Sequence, residues 1–286
     1  MRNPVHERLQ RYGLRPRKGL GQHFLAEPSV LSRIVAAIAP APGDTILEYG
    51  AGIGVLTEML LDRGARVVAV ELDDALVDVL RRELGERPEL RVVHADLARI
   101  SATELRVEMA APRLKLAGNL PYQLTSHVLF ALLDLEATLQ EAVFMLQREV
   151  AERLVAPPGG RDYGILSVLL RTFHDVEIVM RVKPGAFVPP PRVESAIVRI
   201  APRAAGPALA WPERAALARL VKSTFAERRK VLRNTLKKFY GLDAPALGAC
   251  ERTSGIDLGR RPETLAVAEF VRLLHALPAA APAPEA

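Results

Sequence analysis

The run from Asp44 to Glu71 constrains this chain more than any other. Asp44 to Gly50 reads as a buried strand, and Gly50-Ala51-Gly52-Ile53-Gly54 follows it directly. Val55 to Leu61 then opens a helix, and Val67-Val68-Ala69-Val70-Glu71 is a continuous apolar strand ending on a carboxylate. This is the strand, glycine loop, helix, strand and acid of a nucleoside-binding unit. Glycines let the backbone approach a ligand closely. Glu71, 21 residues after Gly50, can accept hydrogen bonds from ribose hydroxyls. The third glycine comes two residues after the second, where the dinucleotide fingerprint needs three. No Lys-Ser/Thr pair follows, so the loop is not a phosphate-gripping P-loop. A nucleoside without phosphates suits it, and S-adenosylmethionine fits that description.

Two further strands reach the same sheet edge. Leu90 to His94 ends at Ala95-Asp96, where the Asp96 carboxylate could accept from an adenine amine or cap the residues that follow. Leu114 to Ala117 runs into Gly118-Asn119-Leu120-Pro121-Tyr122, ahead of a helix-like run from Thr125 to Leu133. Ligands of open α/β sheets bind at the carboxyl ends of strands. An amide oxygen and a proline carbonyl are acceptors, and a Tyr ring is a stacking surface. The plain alternative is an Asx or Pro turn closing a βα connection. Behind a nucleoside-binding loop, the better reading is a clamp for a planar base with an exocyclic amine.

The remaining pattern is strand at Glu141 to Gln147, helix at Arg148 to Val155, helix at Gly164 to Phe173, and strands at Val176 to Val182 and Ser195 to Ile200. Between the last two lies Phe187-Val188-Pro189-Pro190-Pro191-Arg192. Its aromatic is either a hydrophobic anchor or a second stacking face for a flipped base. Ala201 to Pro212 reads as a linker. The expected domains are a basic flexible arm at 1–21, a catalytic α/β domain at 22–203, a helical domain at 208–277 and a disordered tail at 278–286. A helix should begin at Pro28, since proline suits a first helical turn.

At 286 residues, with 49% hydrophobic and 25% charged residues, the chain is in the globular range. No apolar run approaches a membrane span, and the N-terminus lacks the apolar core of a signal peptide. A cytoplasmic protein is expected. A single Cys250 excludes an intramolecular disulfide and a multi-cysteine metal site, and no metal site is expected. Net charge is +6, with cations crowded into two runs. Arg15, Arg17 and Lys18 belong to the first; Lys222, Arg228, Arg229, Lys230 and Arg233 belong to the second. Such clusters favour a nucleic acid partner.

Together these motifs resemble the ribosomal RNA adenine N6,N6-dimethyltransferase family (KsgA/RsmA type), from about Lys18 to Leu274. The resemblance rests on Gly21-Gln22-His23-Phe24-Leu25, Glu48 to Thr57, Val70 to Asp73, Gly118 to Tyr122, Phe187 to Ala196 and Phe225 to Lys230. It implies a Rossmann-like class I S-adenosylmethionine methyltransferase with a small C-terminal helical domain. The implied substrate is two adjacent adenosines in the 3′-terminal hairpin of small-subunit rRNA, within the immature small subunit, for an enzyme acting as a monomer. Carried over by motif, the cofactor contacts are His23, Leu25, Gly50, Gly52, Gly54, Glu71, Asp96 and Asn119. The catalytic group is Asn119, Leu120, Pro121 and Tyr122, with Phe187. The family usually has Asn where this chain has His23, which preserves a backbone contact but not a side-chain amide. The rival readings are a large-subunit rRNA methyltransferase of the antibiotic-resistance type and a non-catalytic ribosome-assembly factor on the same scaffold.

Overall fold

A computed structural model describes residues 4–108, 111–135 and 138–278. The chain divides into two compact units, Met1–Ala151 with Val176–Pro202, and Glu152–Asp175 with Arg203–Ala286.

The first unit opens with helix α1 (Pro4–Arg11), strand β1 (Phe24–Leu25) and helix α2 (Pro28–Ile38). A regular alternation follows: β2 (Thr45–Tyr49), α3 (Val55–Leu61), β3 (Arg66–Glu71), α4 (Asp74–Leu84), β4 (Leu90–His94), α5 (Ala102–Glu108), β5 (Leu114–Asn119), α6 (Thr125–Ala131) and β6 (Leu139–Gln147). Helix α7 (Arg148–Val155) leaves this unit, α8 (Ile165–Phe173) lies in the second, and β7 (His174–Val182) leads back. Short strand β8 (Phe187–Val188) and β9 (Ser195–Pro202) complete the first unit.

The main sheet has seven strands in the order β4-β3-β2-β5-β6-β9-β7. Strands β2 to β6 pair in parallel, and β9 is antiparallel to β6. Parallel strands need crossover helices, which cover both faces. That is why β2 and β5 are continuous buried runs rather than alternating ones. The strand order reverses between β2 and β5, and this switch point is where such sheets bind ligands. The glycine loop leaves β2 and the Asn119 segment leaves β5, so both stand at that crevice.

The N-terminal arm differs from the expectation of a basic flexible segment at 1–21. Its described part contains α1, docked by Val5 and Leu9, four residues apart and both in the core. Arg8 is also buried, where Nη1 donates to the Ile53 carbonyl at 2.9 Å and Nη2 pairs with Glu58 at 2.6 Å. Burying two apolar side chains and satisfying a guanidinium outweigh the charge that suggested a free arm.

The second unit comprises α8, α9 (Arg214–Ala226), α10 (Leu232–Tyr240), α11 (Ala244–Ser254) and α12 (Val267–His275). Helix α8 had been expected in the catalytic domain. Its apolar face packs instead on α9 and α12. Beside it, the Tyr163 ring lies 6.3 Å from Phe225, which lies 6.0 Å from Phe270. The helical unit therefore gathers a segment from mid-sequence, which a contiguous boundary at 208 misses. Of the tail expected to be disordered, 279–286 lies outside the described residues. No described helix is long and apolar enough to cross a membrane.

Candidate active site

The crevice holds a cavity of about 280 Å³, within the first unit. Its walls come from the Gly19–Phe24 segment, the glycine loop, the end of β3, Asp96 to Ala98 and the run Asn119 to Leu124.

Gly50, Gly52 and Gly54 have φ values of 69°, 60° and 81°, the left-handed region open to glycine without steric cost. The loop is tied to the neighbouring strand end by Glu71. One carboxylate oxygen accepts from Gly52 N–H at 2.8 Å, and the other accepts from the N–H groups of Leu72 at 2.8 Å and Asp73 at 3.0 Å. Burial raises the Glu71 carboxyl above its ordinary range, against the pull of those N–H groups. Glu48, lower on β2, is pushed up to about 8 by burial, despite the Thr57 hydroxyl donating to it at 2.6 Å.

Gly118 marks the closest approach at the switch point. A Cβ there would lie 2.3 Å from the Tyr49 carbonyl oxygen, so any side chain would push β5 off β2. The next residue, Asn119, donates from Nδ2 to the His23 carbonyl at 2.7 Å. A carbonyl only accepts, so the amide nitrogen must face it. That fixes the flip of the amide and leaves Oδ1 without a partner among the described residues. The Pro121 carbonyl already accepts from Leu124 N–H at 2.9 Å, with one lone pair left over. Tyr122 is half-buried, and its hydroxyl pairs with Ser195 at 2.8 Å. Burial raises this phenol, and the Ser195 contact opposes the rise.

His23 joins three motifs. Its carbonyl holds Asn119, its Nδ1–H donates to the Pro189 carbonyl at 2.7 Å, and its ring lies 6.0 Å from that of Tyr122 at an interplanar angle of 24°.

The remaining expected site residues divide. Gly50, Gly52, Glu71, Asp96, Asn119, Leu120, Pro121 and Tyr122 line the one cavity with His23. Leu120 has its side chain in the core at 2% exposure. Asp96 accepts from Ala98 N–H at 2.8 Å and pairs loosely with Arg99 at 3.7 Å, so it caps the turn while facing the cavity. Leu25 and Gly54 do not line this cavity. Leu25 pairs with Phe187 in the small β1–β8 sheet, and a Cβ on Gly54 would lie 2.7 Å from Leu80, which makes it a packing glycine.

Phe187 requires a correction. It is 2% exposed, belongs to the core and does not line the cavity. Strand β8 pairs with β1, which turns this ring inward as a hydrophobic anchor. It presents no face to this cavity.

The cationic candidates also separate. Arg17 pairs with Asp73 at 3.2 Å, Arg228 donates to the Gly160 carbonyl at 3.1 Å, and Arg233 pairs with Glu251 at 2.7 Å. Arg15, Arg229 and Lys230 are exposed, with no partner among the described residues. Lys222 is exposed, and the Lys18 side chain lies outside the described residues.

Asp73 was missed as a site residue. It caps α4 through Ala75 N–H and accepts from Gln22 Nε2 at 2.8 Å, so it ties the cavity wall at Gly19–Phe24 to the Glu71 turn. A Ser/Asp/Asn before a helix was a visible cap signal. Nothing local revealed the Gln22 contact. Arg8 was missed for the same reason.

The sheet, the glycine cradle and the buried acid at the end of β3 define a class I S-adenosylmethionine-dependent methyltransferase. The fit to that cofactor rests on the cradle itself, where loop backbone instead of side chains lines the wall beneath an acceptor-only carboxylate. A family profile described as ribosomal RNA adenine dimethylase matches residues 13–277, and the chain belongs to that family. It is 49% identical over 276 residues to the ribosomal RNA small subunit methyltransferase A of Anaeromyxobacter sp. (strain K), covering 94% of this chain and 96% of that one. Identity to the Geobacter metallireducens protein of the same name is 45%, with 93% and 96% covered. Among solved structures, a dimethyladenosine transferase from Plasmodium falciparum superposes with a TM-score of 0.70 at 25% identity, covering 88% of this chain and 96% of that one. The 23S rRNA methyltransferase ErmE gives 0.66 at 27% identity, covering 89% and 99%.

Proposed function

We propose that this enzyme dimethylates N6 of two adjacent adenosines in the 3′-terminal hairpin of small-subunit rRNA. It acts as a cytoplasmic monomer on the immature small subunit. Near-half identity to proteins named for the small subunit supports this substrate over the large-subunit alternative.

The observation that carries the chemistry is the oriented Asn119 amide. The adenine N6 lone pair is delocalised into the ring, so the amine is a poor nucleophile. Asn119 Oδ1 and the remaining lone pair of the Pro121 carbonyl accept the amine hydrogens, which localises nitrogen density. Because Nδ2 is already engaged by His23, the acceptor is preset and needs no reorganisation when the base arrives. The Tyr122 ring stacks on the base. Glu71 and the glycine loop would hold the cofactor's nucleoside, and the bound cofactor supplies an electrophilic methyl group. The protein's part is positioning. The methylated amine sheds its proton to water without a strong base.

Replacing Asn119 with Ala should lower methyl transfer to unmethylated small subunits by about 100-fold or more, with RNA affinity near that of the wild type. Turnover and filter binding measure the two quantities. Near-normal turnover in Asn119→Ala would refute the proposed role.

A further inference from the structure

We propose that the end of β6 and the start of β9 form a second base subsite beside the amine clamp, where the Gln147 amide reads the adenine next to the one being methylated. The inference rests on the proposed substrate, two adjacent adenosines, and on the reading of Asn119 to Tyr122 as the clamp for one of them. It gives the neighbouring base a place of its own.

Strand pairing puts Gln147 next to the clamp. Asn119 lies opposite Met145 in the β5–β6 pair, and Met145 lies opposite Ile197 in the β6–β9 pair. Met145 and Ile197 both belong to the core cluster that contains Phe24 and Leu25. Side chains alternate along a strand, so Gln147 and Ser195, which lie opposite each other at the ends of the same pair, share the face of Asn119. Gln147 therefore stands one strand over and two residues on from Asn119, which strand spacings make about 8 Å between Cα atoms. Ser195 links the two places, because its hydroxyl pairs with that of Tyr122 at 2.8 Å. Stacked bases repeat at about 3.4 Å, so the two bases would be splayed, as extrusion of the target requires.

Gln147 opens on a hollow of about 300 Å³, which it lines with Arg148, Glu149, Val193 and Glu194. All five residues belong to the first unit. Its walls are joined twice, by the Arg148 N–H donating to the Glu194 carbonyl at 2.9 Å and by the ion pair of their side chains. Val193 is one of two large apolar side chains exposed among the described residues, and it offers a face to a base. The charges do not suit a phosphate, since Arg148 is paired with Glu194 and Glu149 adds a second carboxylate. The Gln147 side chain is half-buried and its amide has no partner among the described residues, which leaves a donor and an acceptor for a ligand. Such an amide matches N6 and N7 of adenine bidentately, whereas guanine presents two acceptors on the same edge. The bases of an unpaired loop leave that edge open to be read.

The test pairs a change in the protein with a change in the RNA. Methyl transfer is measured on unmethylated small subunits carrying the adenosine pair, and on two others in which one or the other adenosine is replaced by guanosine. On the adenosine pair, Gln147→Met should lower kcat/KM for RNA about tenfold, within a range of roughly 5- to 150-fold. On at least one of the guanosine subunits the same substitution should change it less than about twofold, because the amide there has no adenine edge to lose. Gln147→Glu keeps the size and polarity of the side chain but loses the donor, and should follow Gln147→Met; it covers the case in which the thioether disturbs the strand end. S-adenosylmethionine affinity, measured by calorimetry, should stay at the wild-type value in both variants. Wild-type kcat/KM on the adenosine pair, or equal losses on all three subunits, would overturn the proposal, since equal losses would mean that Gln147 only supports the strand end. Asn119→Ala run alongside separates the two levels. If it is inactive while both Gln147 variants are normal, only this inference fails; if it is active, the clamp reading fails first.

Discussion

Glu48 makes the stability of the α/β unit depend on pH in a direction opposite to most carboxylates. It is 2% exposed on a strand buried on both faces, and its carboxyl is pushed up to about 8 from 4.5 by burial. The folded state therefore prefers the protonated acid, while the unfolded chain releases the proton near its ordinary pKa. The stabilisation is fully present below about pH 4.5 and is lost as pH rises through about 8. Across the window each pH unit removes about 1.4 kcal/mol, so between pH 5 and pH 8 the loss is on the order of 3–4 kcal/mol. Glu48→Gln keeps the shape and an acceptor for the Thr57 hydroxyl, and cannot ionise. The assay is urea unfolding followed by circular dichroism from pH 5 to pH 8.5, with the wild-type stability subtracted from that of Glu48→Gln. That difference isolates Glu48 from all other titrating groups. It should be small at pH 5 and grow in favour of the variant toward pH 8. A flat difference across the range would refute the argument, because it would mean that Glu48 titrates alike in both states.

Two more outcomes follow from placed charges. Arg8→Ala removes the guanidinium that satisfies the Ile53 carbonyl and neutralises Glu58, so stability should drop about 2–4 kcal/mol and cofactor affinity should fall with the loosened loop; unchanged denaturation and calorimetry would contradict the docking of α1. Arg229→Gln with Lys230→Gln should flatten the slope of log RNA affinity against log salt by about 0.7 per cation, whereas Arg228→Gln should chiefly destabilise the helical unit by freeing the Gly160 carbonyl; equal salt slopes for all of them would show that the partnered and unpartnered cations are not distinct.

Much of the fold was legible because its determinants are local. Asp44 to Glu71 carries its own strand, turn glycines, helix and terminal acid within one βαβ unit, and each element formed where its apolar period placed it. The Asn119 segment was legible for a related reason. A strand of five buried residues must end somewhere along the same edge as its parallel neighbours, so its C-terminal residues meet theirs. Helix α8 shows the limit. Its apolar face would suit the sheet or a helical bundle equally well, and only the aromatic cluster around Phe225 decides between them. A linear boundary could not anticipate a unit built from two separated segments.

Phe187 and His23 show the same limit at the level of side chains. Both sit in short motifs beside a proline-rich loop or a glycine, with no periodicity to assign a face. Their roles are set by a pairing of two-residue strands, Phe24–Leu25 with Phe187–Val188, which no local pattern announces. Once β1 and β8 pair, Leu25 and Phe187 lie opposite each other and are both buried in the core. The chain of β1 then begins immediately after His23, whose carbonyl and ring are left at the cavity margin. A change that slipped this pairing by one residue would take Leu25 from its place opposite Phe187. It would also shift the His23 carbonyl that orients Asn119. The orientation of the Asn119 amide thus depends on a register set outside the main sheet.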